Sequence, residues 1–88
     1  MKAFPLKISS PDGDICSGEV EMLSLRTTEG ELAILAGHIP FVSSVVACKC
    51  KLLLPDETEI VAYTDGGVLT VSSDKTVLLT GSWEREEK

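Results

Sequence analysis

The sequence predicts an all-β fold, a small two-sheet sandwich or flattened barrel of about eight to ten short strands. Three observations carry that expectation. Apolar and polar residues alternate with period 2 in short runs. Turn sequences break those runs about every 8 to 12 residues, and no long segment has apolar residues at helical spacing. With 88 residues the chain is one domain. A chain of that size buries only about 60–65% of its unfolded surface, so it holds one thin core and no deep cleft.

The elements follow in order. Phe4, Leu6 and Ile8 alternate with Pro5, Lys7 and Ser9, and Ser10-Pro11-Asp12-Gly13 then makes a turn. Val20 and Met22 alternate with Glu19 and Glu21 before the apolar phase slips to Leu23 and Leu25. A one-residue slip reverses the apolar face, which marks a bulge or a strand leaving one sheet for another. Cys48, Cys50, Leu52 and Leu54 share a face opposite Lys49 and Lys51, until Pro55-Asp56 ends the run. Ile60 to Tyr63, Val68 to Val71 and Val77 to Leu79 read as further strands. Asp65-Gly66-Gly67 and Ser72-Ser73-Asp74-Lys75 read as the turns between them. Period-2 placement puts Phe4, Leu6, Ile8, Val20, Leu52, Leu54 and Val77 between the sheets. The sandwich is expected over residues 1–81. Residues 82–88, SWEREEK, have helix-forming composition but are too few to hold a helix alone, so they read as a polar tail.

Composition excludes several functions. The net charge is −6, which repels phosphate backbones and anionic lipid headgroups, so neither nucleic acid nor a lipid surface is an expected partner. Basic or neutral proteins are. No apolar run approaches the ~20 residues of a spanning helix. The N-terminal stretch MKAFPLKISSPDG lacks an apolar signal region, which gives a cytoplasmic expectation. Three cysteines, an odd number, read as reduced thiols.

Each chemical candidate has a plainer competitor. Cys16, His38, Cys48 and Cys50 make up a Cys3His set, which zinc accepts. Their spacing opposes it: Cys48 and Cys50 share a strand face with leucines and read as small core residues, and no C-x2-C knuckle exists. Same-strand neighbours do not offer disulfide geometry either. The only histidine, His38, has no nucleophile-elbow serine for a triad and reads as a loop residue making backbone or interface hydrogen bonds. Glu29 and Glu31 on a turn lack the cleft and aromatic platform of a glycosidase pair. Asp65-Gly66-Gly67 has no following helix and is no phosphate cradle. No catalytic residue, metal or cofactor is expected.

Four ordered segments carry a resemblance. EGELAILAGHIP, Glu29 to Pro40, resembles the E-G-E-L-G-I-L-P-G-H-A-P segment of the epsilon subunit family of F-type ATP synthases. CSGEVE, Cys16 to Glu21, is similar to that family's F-S-G-x-V. DGGVLTV, Asp65 to Val71, is similar to its S-G-G-x-L-E-V. DKTVLLTGSWER, Asp74 to Arg85, is similar to the N-V-T-V-L-A-D-x-A-x-R run closing its first domain. The chain departs from the pattern at Ala33 and Ala36, which replace a glycine and a proline, and at Thr70, which stands where Glu is usual. Val46-Ala47-Cys48 stands where the family has a K-P-G turn.

The resemblance implies a β-sandwich that catalyses nothing. It implies a rotor part that links the gamma subunit to the membrane c ring, peripheral to the cytoplasmic face of the membrane, without lipid insertion. A freestanding acidic β-sandwich that binds some other protein is the alternative. By the same resemblance Glu29, Gly30 and Glu31 face the ring, and His38 lies at the same end nearer gamma. Ser10 is a further gamma contact. Many members continue into two C-terminal helices, and residues 82–88 fall where that hairpin would start. A naturally short form and a fragment are both open.

Overall fold

A computed structural model describes residues 2–86. Its eight strands are β1 (Phe4–Ser10), β2 (Gly13–Val20), β3 (Met22–Thr27), β4 (Gly30–Leu35), β5 (Phe41–Leu53), β6 (Glu59–Val71), β7 (Thr76–Thr80) and β8 (Trp83–Arg85). Among the described residues there is no helix. Hydrogen bonds join the strands in the order β2-β1-β7-β6-β5-β3-β4, and β8 also pairs with β6. The β1–β7 pair is parallel and the rest are antiparallel. The sheet does not close on itself, so the sandwich reading stands and the barrel does not.

Two strands make one sheet into two layers. β5 and β6 have 13 residues each. At roughly 3.3 Å per residue, a straight strand of that length spans about 40 Å. The molecule's largest principal dimension is 32 Å, so both strands turn through the body. Residues Gly67 to Val71 of β6 pair with β7, while Ala62 to Thr64 pair with β8. The change of partner falls on Asp65-Gly66. This corrects the expected turn there: Asp65-Gly66-Gly67 lies inside β6 and bends it. Gly66 has φ +106°, and a Cβ there would stand 2.7 Å from the Val45 carbonyl oxygen. Val46-Ala47-Cys48 is likewise within β5 and makes no turn.

The hydroxyl of Thr80 locks this corner. It lies 2.6 Å from Thr64 Oγ1, 2.7 Å from the Gly66 carbonyl oxygen and 3.1 Å from Asp65 Oδ1. Thr64 Oγ1 in turn accepts the Gly66 N–H at 3.1 Å. Both threonines are buried, so these bonds supply the polar partners that burial requires.

The phase slip near Met22 is a change of layer. β2 ends at Val20 against Phe4, and β3 starts at Met22 opposite Leu53, with the Glu21 N–H donating to the Leu53 carbonyl at 2.6 Å. Two other expectations are corrected. Trp83–Arg85 is strand and not tail, because the open edge of β6 gives these residues hydrogen bonds that an isolated short helix could not match. Glu87 and Lys88 lie outside the described residues. Val77 faces outward, and Thr76, Leu78 and Thr80 are the buried residues of β7.

Phe4, Leu6, Ile8, Val20, Leu69, Val71 and Leu78 meet Leu23, Leu25, Ile34, Cys50 and Leu52 in one core. Leu54 only packs against its margin. Leu52 sits in a row between Leu23 and Ile60. Leu52→Ala is expected to cost roughly 2–4 kcal/mol, the range of a buried Leu truncation. Denaturant unfolding checks it, and a change under about 0.5 kcal/mol, usual for surface sites, would undo this register.

Candidate functional site

Thr27 pairs with Gly30, so Thr28-Glu29 is the tight turn between β3 and β4. Thr27 Oγ1 accepts the Glu29 N–H and donates to the Gly30 carbonyl, both at 3.1 Å. Gly30 takes φ +121°, a conformation L side chains rarely adopt. Glu29 is exposed at the apex. Glu31 already lies on β4, its carboxylate 3.8 Å from Arg26 across the hairpin. Both side chains of that pair are largely exposed, so the bridge is weak.

His38 is at the other end of β4. Its N–H donates to the Leu35 carbonyl at 3.2 Å, and Nδ1 donates to the Ile39 carbonyl at 2.9 Å. The ring packs 4.9 Å from Phe41 and borders a 390 Å³ recess shared with Phe4, Pro5, Leu35, Val71 and Lys75. Six residues of strand put about 20 Å between His38 and the Glu29 turn. The structure therefore separates the residues that the sequence reading set at one end. No nucleophile or carboxylate bonds to the imidazole among the described residues.

Ser10 closes the β1–β2 turn. Its Oγ accepts the Asp12 N–H at 3.2 Å and donates to the Gly13 carbonyl at 3.3 Å. It lies at the same end of the sheet as the Glu29 turn, since Ser9 aligns with Leu79 and the next step leads through Thr80, Gly67 and Val45 to Thr27. Four strand spacings of about 4.8 Å lie between them, roughly 19 Å along the folded sheet.

Between these positions the strands build a surface that no single stretch of sequence displays. One row across β5, β6 and β7 is Val42, Thr70, Val77, and the next is Ser44, Val68, Leu79. All six point away from the core, and none is charged. Val42 is 69% exposed, Leu79 48% and Val68 42%, and Ile39, in the loop leading to Val42, is 77% exposed. Charge begins at β1, where Lys7 stands beside Val77 and, at 3.3 Å, joins Ser9 at 2.9 Å in holding Asp14 of β2. The Ser9 hydroxyl and then Lys7 hold the Asp14 carboxyl below its usual range. The outer face of the other layer is unlike this one. It carries Arg26, Glu31, Lys49, Lys51 and Glu84. Clustered exposed Val42, Val68 and Leu79 without charge make this face a candidate protein-binding surface.

The cysteines separate. Cys16 is exposed on the edge strand β2, opposite Ile8. Cys48 and Cys50 lie side by side on β5, their sulfurs 4.0 Å apart. Burial, with Cys48 beside it, pushes the Cys50 thiol up to about 12. Among the described residues no three His, Cys, Asp or Glu side chains converge on a common point.

The family described as "ATP synthase, Delta/Epsilon chain, beta-sandwich domain" matches residues 3–86. The chain belongs to that family. It is 40% identical over 84 residues to the ATP synthase epsilon chains of Bacillus thuringiensis (strain Al Hakam) and Bacillus mycoides (strain KBAB4), covering 96% of this chain and 62% of each of theirs. The fold recurs in a chain of the Euglena gracilis mitochondrial ATP synthase (OSCP/F1/c-ring, rotational state 1), with a TM-score of 0.88 at 21% identity over 94% of this chain and 53% of that one. A chain of the Tetrahymena thermophila mitochondrial ATP synthase, central stalk and c-ring, gives 0.77 at 12% identity over 93% and 66%. No helix among the described residues is long and apolar enough to cross a membrane.

Sequence reading singles out Ser10, Glu29, Gly30, Glu31 and His38 and passes over Val42, Val68 and Leu79, which only the strand register brings together. The available signal was the doubled apolar pair in TVLLT, where Val77 and Leu79 leave one face of β7 apolar beyond what the core uses.

Proposed function

We propose that this chain is a non-catalytic central-stalk subunit of an F-type ATP synthase, linking gamma to the membrane c ring and supporting the coupling of ion flow to ATP synthesis. The observation that carries this reading is the family match across residues 3–86. It acts as a peripheral component on the cytoplasmic side of the membrane, held there by the complex. Gamma takes the uncharged face of β5, β6 and β7, with Ser10 near one end and His38 with Ile39 near the other. The ring takes the Glu29-Gly30-Glu31 turn.

Geometry divides the two acids. Arg26 engages Glu31, whereas Glu29 projects from the apex with no ion-pair partner among the described residues. Glu29 should therefore carry more of a contact to basic ring loops. An acid at an exposed rim contributes about 0.2–1 kcal/mol, and salt screens it. Reversing both to Lys places like charges against a basic loop and weakens docking further. The measurement is binding to a gamma–ring assembly at low and high salt, parent chain against Glu29→Lys/Glu31→Lys, with melting run in parallel. The expected loss is about tenfold at low salt, some 1.4 kcal/mol, and shrinks at high salt. Unchanged affinity with an intact fold would mean that the turn faces solvent. A parent chain that ignores gamma and the ring altogether would favour the freestanding module.

A further inference from the structure

Strands β3 and β5 part company midway. They are in register at Met22–Leu53, Leu23–Leu52 and Ser24–Lys51, and again at Thr27–Val45. Between those points β3 supplies only Leu25 and Arg26, whereas β5 supplies Val46 through Cys50. The surplus opens a recess of 310 Å³ bordered by Arg26, Glu31, Cys48, Lys49 and Lys51. A sulfur fills part of the missing ladder: the Arg26 N–H donates to Cys48 Sγ at 3.4 Å. Behind it Cys50, 0% exposed, sets its own sulfur 4.0 Å from that of Cys48.

Two sulfurs so placed are poorly suited to a disulfide. That bond needs Cβ atoms about 3.5–4.5 Å apart. Residues i and i+2 on one strand are about 6.6 Å apart along the chain. A bridging ion needs no such approach. Two metal–sulfur bonds of about 2.3 Å span up to about 4.6 Å when the ion lies in line between the sulfurs, so sulfurs 4.0 Å apart need part by only a fraction of an ångström to hold one. Zinc in a structural site takes four ligands, and no three candidate side chains converge here among the described residues. Thiolates select soft ions such as Cu(I), for which two sulfurs serve.

We propose that Cys48 and Cys50 form a two-thiol site for a soft monovalent cation of the Cu(I) class, entered through the recess between β3 and β5. Binding exchanges two thiol protons for one cation, giving a bis-thiolate complex of charge −1 with no change of oxidation state. At the mouth of the recess Arg26, Lys49 and Lys51 outnumber Glu31 and offset part of that charge from the outer face, and the Arg26 N–H already points at one ligand sulfur. Burial of Cys50 keeps one side of the ion from water. The site is independent of the stalk reading and of its docking face.

The test is an anaerobic titration of the reduced full chain with Cu(I) against a chromogenic Cu(I) chelator, with released protons measured. The expected result is one equivalent per chain and two protons released. Losing either sulfur removes chelation, so Cys48→Ser and Cys50→Ser should each bind about 100-fold more weakly, while Cys16→Ser binds as the parent does. Phenylarsine oxide, which bridges paired thiols, should block uptake in the parent, which keeps the test decisive if Cys50→Ser fails to fold. Zinc offered in place of copper should not survive dialysis. Copper that follows Cys16, a Cys48→Ser chain within threefold of the parent, or no uptake at all would overturn the site.

Discussion

Gly67→Ala is expected to leave the domain largely unfolded. Gly67 pairs with Val45 on one side and Thr80 on the other, at the corner where β6 passes from one layer to the next. A Cβ built there overlaps the Leu79 carbonyl oxygen and reaches 3.0 Å from Thr80 Cα. Those obstacles are backbone, so no rotamer change relieves them. Moving β7 away would break its pairing with both β6 and β1 and disturb the Thr64–Thr80–Gly66 bonds. A domain of 88 residues has roughly 4–13 kcal/mol of stability in all. A steric conflict on that scale removes most of it. Gly18→Ala is the control: nothing lies within 4 Å of its Cβ, so it should stay within about 0.5 kcal/mol of the parent. Circular dichroism and denaturant unfolding of the pair check this. A Gly67→Ala chain that melts with the parent would show that β6 and β7 do not approach here.

The same glycines show why one part of the fold was legible and another was not. Alternation alone locates β1 and the end of β5, and with them the buried Phe4, Leu6, Ile8 and Leu52, because each of these runs has a single apolar phase. The slip after Met22 marks where β2 gives way to β3. Asp-Gly-Gly between two apolar runs reads as a turn, since that is the usual reason for glycines there. Here they remove side chains where two backbones meet and the strand bends, a long-range demand that local sequence does not display. Period-2 placement puts Val77 inward, but Val77, Leu78 and Leu79 are apolar in a row and either phase satisfies it. What decides the phase is that Thr76 and Thr80 are buried, and Thr80 is buried because Thr64, sixteen residues away, meets its hydroxyl. Trp83 to Arg85 followed their neighbour β6 instead of their helix-forming composition, the common outcome when tertiary pairing competes with weak propensity. The tight turn at Glu29 was legible as a local motif. Its distance from His38 is not, because Leu32 to Leu35 are apolar in a row and show no alternation that marks β4 as a strand.

Leu79→Asp and Val42→Asp are each expected to abolish stable association with gamma while leaving the domain folded. Neither side chain belongs to the core, and both stand on the uncharged face of β5, β6 and β7. Leu79 is flanked by Val68 and Ser9, and Val42 by Thr70, so neither new carboxylate finds a cation beside it on its own row. In the free chain water solvates the charge, and the melt should move little. In the complex the carboxylate would be buried without a partner, a penalty of several kcal/mol. Affinity should fall by at least about 100-fold, equivalent to some 2.7 kcal/mol. This is a larger effect than the acidic turn can give, because screening limits a rim charge and does not relieve a buried one. Ser17→Asp on the exposed edge strand β2 lies in the same transverse row but beyond Lys7, so it adds an equal charge outside the uncharged patch and beside a cation. Measuring the three variants against isolated gamma separates an apolar docking face from a general effect of added charge. Equal, small losses for all three would place gamma elsewhere on the sandwich.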